Sequence, residues 1–157
     1  MDGLSEIMRL HLTQAGWSED RSIDTADYER AIIAAGLPLH MSVVEFVRKF
    51  GNLKVEFPVK VPDGPNWDAI RGGKEWFLVD PIKAIADCSA EWFKYYSDRA
   101  GTALCPIGEA HRGHAILLMA EDGTVYGGYD DEFWEEGKSG IEALESIRAH
   151  SDYRNRR

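Results

Sequence analysis

Cysteine is scarce: the 157 residues hold two, Cys88 and Cys105, which form neither a CxxC pair nor a disulfide framework. That argues against a small disulfide-stapled scaffold and fits a reducing compartment. Long apolar runs are missing too. No stretch approaches the ~20 apolar residues that a membrane-crossing helix needs, and Met1-Asp2-Gly3-Leu4-Ser5-Glu6 carries acids where a secretory leader would carry basic residues. The expectation is a cytoplasmic protein that neither spans nor binds a membrane. Basic charge is short, with 18 Lys and Arg against 27 Asp and Glu, a net charge of −9. Arg148, Arg154, Arg156 and Arg157 face a single acid, Asp152, in residues 148–157, which leaves residues 1–147 at −12. Such a body repels nucleic acid and anionic membranes and speeds association with basic proteins. Solubility alone accounts for the same acidity, because net charge bears on association and not on fold. Repeats, linkers and low-complexity stretches are absent as well. One domain over residues 1–149 is therefore expected, with a basic, flexible tail at 150–157.

What is present is core-building material. Hydrophobic residues make up 44% of the chain, and five Trp, six Tyr and six Phe are among them. The corner Ala15-Gly16-Trp17-Ser18-Glu19-Asp20-Arg21 is the most distinctive segment. Gly16 is expected to take the left-handed conformation that ends a helix over Leu4–Gln14, so that Trp17 folds back onto the core. Arg21 can then reach a carboxylate or carbonyl on the next element.

Helical spacing continues. Asp24 is a cap for a second helix through Tyr28, Ile32 and Ile33 to Gly36, and a third spans about Leu39–Phe50 with Val43, Val44, Phe46, Val47 and Phe50 on one face. From Leu53 the period becomes two, with Leu53, Val55, Phe57 and Val59 alternating against Lys54, Glu56, Pro58 and Lys60, and Pro58 marks a sheet edge. Residues 61–66 read as a loop, Trp76–Val79 as a short strand, and Asp80-Pro81 as the start of a helix. That helix fades at Cys88-Ser89, where another begins and runs to Arg99. His114–Ala120 and Thr124–Gly127 form a hairpin about Glu121-Asp122-Gly123, and Ser139-Gly140-Ile141-Glu142 opens a terminal helix as a capping box. The pattern is one α+β domain with a helix-rich N-terminal third.

Chemistry is harder to find. Cys105, His111 and His114 are close in sequence, but their spacing matches no structural zinc pattern. Cys105 precedes Pro106 in no known nucleophile signature and reads as a small apolar filler. Gly72-Gly73-Lys74 lacks the rest of a phosphate loop, and Gly127-Gly128 opens no glycine-rich helix, so both read as turns. No catalytic residue, metal or cofactor is expected. The run Asp130-Asp131-Glu132-Phe133-Trp134-Glu135-Glu136 lacks the order of a calcium loop and reads as a solvated acidic segment anchored through Phe133 and Trp134. Its further use is as a face for a basic protein, with Trp134 as anchor and Asp130, Asp131, Glu132, Glu135 and Glu136 as steering charges.

Four segments together resemble a known family: Gly16-Trp17-Ser18-Glu19-Asp20-Arg21, Phe46-Val47-Arg48-Lys49-Phe50-Gly51-Asn52-Leu53, Leu104-Cys105-Pro106-Ile107-Gly108 and Asp122-Gly123-Thr124-Val125-Tyr126. Their order is similar to that of the SUKH superfamily, and within it to the third, bacterial immunity-type branch, over about residues 5–147. The resemblance implies a central, largely antiparallel sheet flanked by helices. It also implies a non-enzymatic immunity protein that binds and neutralises a cognate polymorphic toxin, a nuclease or a nucleic-acid deaminase, by stoichiometric occlusion. Gly16, Trp17, Arg21, Pro106 and Gly108 are its motif positions, and they read as structural. The alternative is an intracellular adaptor or regulator with the same fold; a small hydrolase lacks any spacing that identifies an acid–base pair.

Overall fold

Three helices precede any strand, α1 (Glu6–Gln14), α2 (Ala26–Ala34) and α3 (Met41–Phe50). There follow β1 (Leu53–Pro58), β2 (Lys74–Val79), α4 (Pro81–Asp87), α5 (Ala90–Ala100), β3 (Leu104–Ala110), β4 (Ala115–Ala120), β5 (Val125–Tyr129), β6 (Glu132–Gly137) and α6 (Gly140–His150). The computed structural model describes residues 2–155. The strands form one sheet in chain order, each antiparallel to the next, so the fold is α+β with an antiparallel sheet flanked by helices. On one face Val55, Phe57, Phe77, Leu117 and Met119 share a core with Met8, Leu12, Val47, Phe50, Leu144 and Ile147 from α1, α3 and α6. On the other face Leu104, Ile116 and Leu118 meet Ala84, Phe93 and Tyr96 from α4 and α5.

The N-terminal corner is built as its residues dictate. Gly16 has φ +107, and the Gly16 and Trp17 amides donate to the Thr13 and Leu12 carbonyls, closing α1 in a Schellman motif. Trp17 is thereby buried and stacks on Phe50 at 6.2 Å. Its Nε1 has no hydrogen-bond partner, so burial and stacking alone stabilise it. Arg21 spreads its guanidinium over two carbonyls at the end of α3, Lys49 O at 2.8 Å and Gly51 O at 2.7 Å. It reaches past α2 to satisfy groups that a helix end leaves unpaired. Gly51 is needed for space, since a Cβ there would lie 2.4 Å from Val47 O. Gly108 in β3 has the same reason: its Cβ would lie 2.0 Å from Leu78 O on β2.

Several expectations need correction. α2 begins at Ala26 with Thr25 as its N-cap residue, while Asp24 accepts from the Ala26 amide, and Ile33 is exposed. β3 was not legible as a strand. It is buried along its whole length, so it shows no alternation, and Pro106 stands at a bulge where Ile107 is the extra residue. The acidic run, read as a solvated segment, is for the most part the edge strand β6. Gly127-Gly128 is not a turn but the middle of β5. The boundary expected at 149/150 falls within α6, and the chain beyond it is docked: Ser151 is buried, Lys60 N donates to Ser151 O, Tyr153 N donates to Lys60 O, and Tyr153 lies 5.6 Å from Trp67. Arg156 and Arg157 of the expected tail lie outside the described residues.

The two β5 glycines make room for one aromatic on each face. A Cβ at Gly127 would come within 2.4 Å of the Trp134 indole, and one at Gly128 within 2.5 Å of the Tyr96 ring. Overfilling a packed core costs about 1–3 kcal/mol. Gly128→Ala is therefore expected to lower the unfolding free energy by about that amount in urea denaturation, and an unchanged midpoint would disprove this seating.

Candidate functional site

The acidic run folds into the β5–β6 hairpin and its parts separate. Asp130 and Asp131 form the exposed turn, with Asp130 at φ +50. Glu132 and Glu135 are exposed on the edge strand, where Glu135 pairs with Lys138 at 2.7 Å. Charges on an edge strand also discourage pairing with another chain's strand. Phe133 stacks on Tyr126 at 5.0 Å and on Tyr96 at 5.7 Å, facing α5. Trp134 is half-buried over Gly127, beside α6. Glu136 leaves the run altogether. The pairing skips from Tyr126↔Glu135 to Val125↔Gly137, so Glu136 is the extra residue of a bulge, and it is buried. It is therefore not one of the steering charges expected for a partner face.

Side chains of α5 hold the turn in place. Tyr96 Oη donates to Asp130 O at 2.8 Å, Tyr95 Oη to Asp131 O at 3.3 Å, and Arg99 Nη1 to the same oxygen at 3.4 Å. Burial, followed by the nearby Cys88 and then Asp130, pushes the Tyr96 hydroxyl up to about 12, so it stays a donor at neutral pH. Beside the clamped turn lies a groove of about 510 Å³ lined by Asp87, Trp92, Tyr96, Glu109, His114 and Asp130, among others. Glu109 is 3% exposed and Lys83 Nζ stands 3.6 Å from it. Burial pushes its carboxyl up to about 7, and the neighbouring Asp87 adds to that, against the opposing pull of Lys83. Neither Asp87 nor Glu109 carried a signal in the sequence. They lie 22 positions apart and meet because α4 packs on β3.

The residues weighed for metal chemistry do not meet as a set. Cys105 is fully buried, and burial pushes its thiol up to about 12, which keeps it protonated and unreactive. His114 turns its ring to Tyr129 at 6.1 Å. His111 instead faces Glu136, with Nε2 3.9 Å from Oε2, and His150 Nδ1 lies 3.8 Å from Oε1 of the same carboxylate. Burial alone would raise Glu136. The His111 imidazole, Trp134 Nε1 and Ser146 Oγ together outweigh it and hold the carboxyl below its ordinary value.

Gly16, Trp17, Arg21, Pro106 and Gly108 lie in the N-terminal corner and the β3 bulge, and the contacts given above are packing and backbone contacts. No helix among the described residues is long and apolar enough to cross a membrane. A family model described as SUKH-3 immunity protein matches residues 4–149. No curated protein and no solved structure matches the chain.

The raised Glu109 carboxyl has a definite pH signature. Its contribution to stability is complete below about 4.5 and is lost as pH rises through about 7, because the folded state then resists an ionisation that the unfolded chain undergoes freely. Glu109→Gln removes that loss. The variant should gain on the wild type between pH 5 and pH 8.5, by on the order of 1–3 kcal/mol at the alkaline end. Parallel stability curves over that range would show that Glu109 is not held neutral.

Proposed function

The chain belongs to the SUKH-3 immunity protein family, and from that premise we propose that it binds a cognate protein toxin and neutralises it by stoichiometric occlusion. The partner-facing surface in this reading is the clamped acidic turn with the exposed edge of β6 and the adjoining groove. Asp130, Asp131, Glu132 and Glu135 supply negative charge, and Trp134, half-buried beside the edge, supplies apolar area. The toxin is basic, with the cationic cleft that a nuclease or nucleic-acid deaminase turns to its substrate.

One observation carries this reading. The Asp130-Asp131 turn is pinned through its backbone oxygens by Tyr95, Tyr96 and Arg99, so its carboxylates stay outward on a fixed frame. A preorganised charged loop loses little freedom when a partner closes on it. The groove at its side is lined by Asp87 and Asp130 together with Trp92, which suits a Lys or Arg side chain. A domain of this size can contribute its half of a standard interface of roughly 1,200–2,000 Å².

The test uses a toxin whose reading frame adjoins that of this chain. Asp130→Lys, Asp131→Lys and Glu135→Lys combined should weaken binding at least about tenfold in calorimetry, equivalent to ~1.4 kcal/mol. The wild-type association rate should fall steeply with added salt, and that dependence should be blunted in the variant. Unchanged affinity and unchanged salt dependence would remove the acidic turn from the interface. Absence of any complex with that toxin, together with unrelieved toxicity in cells, would overturn the immunity reading for this pair.

A further inference from the structure

We propose that His111, Glu136 and His150 form a binding site for a divalent transition cation of the zinc class, held by two imidazole nitrogens and one carboxylate, with a fourth position open to water. One ligand atom from each lies within 4.8 Å of the other two. Bonds of about 2.1 Å to nitrogen and oxygen place ligand atoms roughly 3.4 Å apart in a tetrahedral site. His111 Nε2 is 3.9 Å from Oε2 and His150 Nδ1 is 3.8 Å from Oε1, each about half an ångström longer than that and longer than a hydrogen bond, and the set of one ligand atom per residue lies within 4.8 Å. Small ring rotations close them onto a cation. His150 is half exposed on the last turn of α6, and the partly exposed His111 leaves a route from solvent.

The carboxylate is already oriented for this role. The Glu136 side chain is 0% exposed, and a carboxylate removed from water needs compensation on both oxygens. Trp134 Nε1 donates to Oε2, and Ser146 Oγ donates to Oε1 at 3.0 Å. Each oxygen keeps further acceptor capacity, and an imidazole nitrogen stands within 4 Å of each. Such outer partners fix a ligand and raise its affinity for metal. The backbone adds a second sign. His111 and Arg112 are consecutive non-glycine residues at φ +52 and +58 in the turn that carries the His111 ring. Two nitrogens and one oxygen suit zinc-class cations better than calcium or magnesium, which prefer oxygen alone. The site would clip three segments together: the β3–β4 connection, the β6 bulge and the end of α6. It rests on neither the acidic turn nor the groove.

The untagged full chain, stripped with chelator, is titrated with Zn²⁺ by calorimetry and with Co²⁺ by visible absorption. One equivalent is expected to bind, with Co²⁺ d–d bands of a low-coordinate nitrogen and oxygen site and a rise in Tm. His150→Gln, at an exposed position, should weaken binding at least tenfold and abolish the Tm rise, whereas His114→Gln should behave as wild type. Absence of the cobalt bands, or equal titration of wild type, His150→Gln and His114→Gln, would overturn the site.

Discussion

Two neighbouring residues without side chains, Gly127 and Gly128 in β5, constrain the whole distal edge of the sheet. One admits the Trp134 indole on the α6 face and the other admits the Tyr96 ring on the α5 face. Since successive residues of a strand point to opposite faces, a glycine pair opens both faces at the same level. Tyr96 can then stack on Phe133 and reach Asp130 O, which fixes the turn, and Trp134 can reach Glu136, which fixes the bulge. The groove, the acidic turn and the His–Glu–His cluster all border this point.

Two buried glutamates show how neighbours decide the state of one side-chain type. Glu109 and Glu136 are 3% and 5% exposed. Glu109 shares its space with another carboxylate, Asp87, and is pushed up to about 7 in spite of Lys83. Glu136 is surrounded by an indole N–H, a hydroxyl and an imidazole, and is held below its ordinary value. Desolvation opposes ionisation in both, so the donors and charges at contact distance set the outcome. An acidic composition therefore does not make every carboxylate a surface charge. In the run Asp130–Glu136 four carboxylates face solvent and one is interior.

Much of the frame was legible from local chemistry. The Gly16 corner, the Asp80 and Ser89 caps, the Ser139 cap and the alternation of Leu53, Val55 and Phe57 each rest on contacts within a few residues, and each stands where it was expected. β3 and β6 were not legible. A strand buried on both faces shows no alternation, and an edge strand bulged at Glu136 breaks its own period. Arg21 lies between these cases. Its type announced a fork for carbonyl or carboxylate, but its partners, Lys49 O and Gly51 O, lie about thirty positions away.

The sequence by itself determined the class of fold, the order of its helices, its family markers and the sign of its charge, because these follow from periodicity, capping chemistry and composition. Tertiary structure alone decided what the buried acids Glu109 and Glu136 meet. Asp87 faces Glu109 because α4 lies on β3, and His111, Glu136 and His150 converge because a strand connection, a bulge and a helix end pack together. Local rules operate over three or four residues, whereas these meetings span tens of residues and are fixed only when the sheet and its covering helices close on each other.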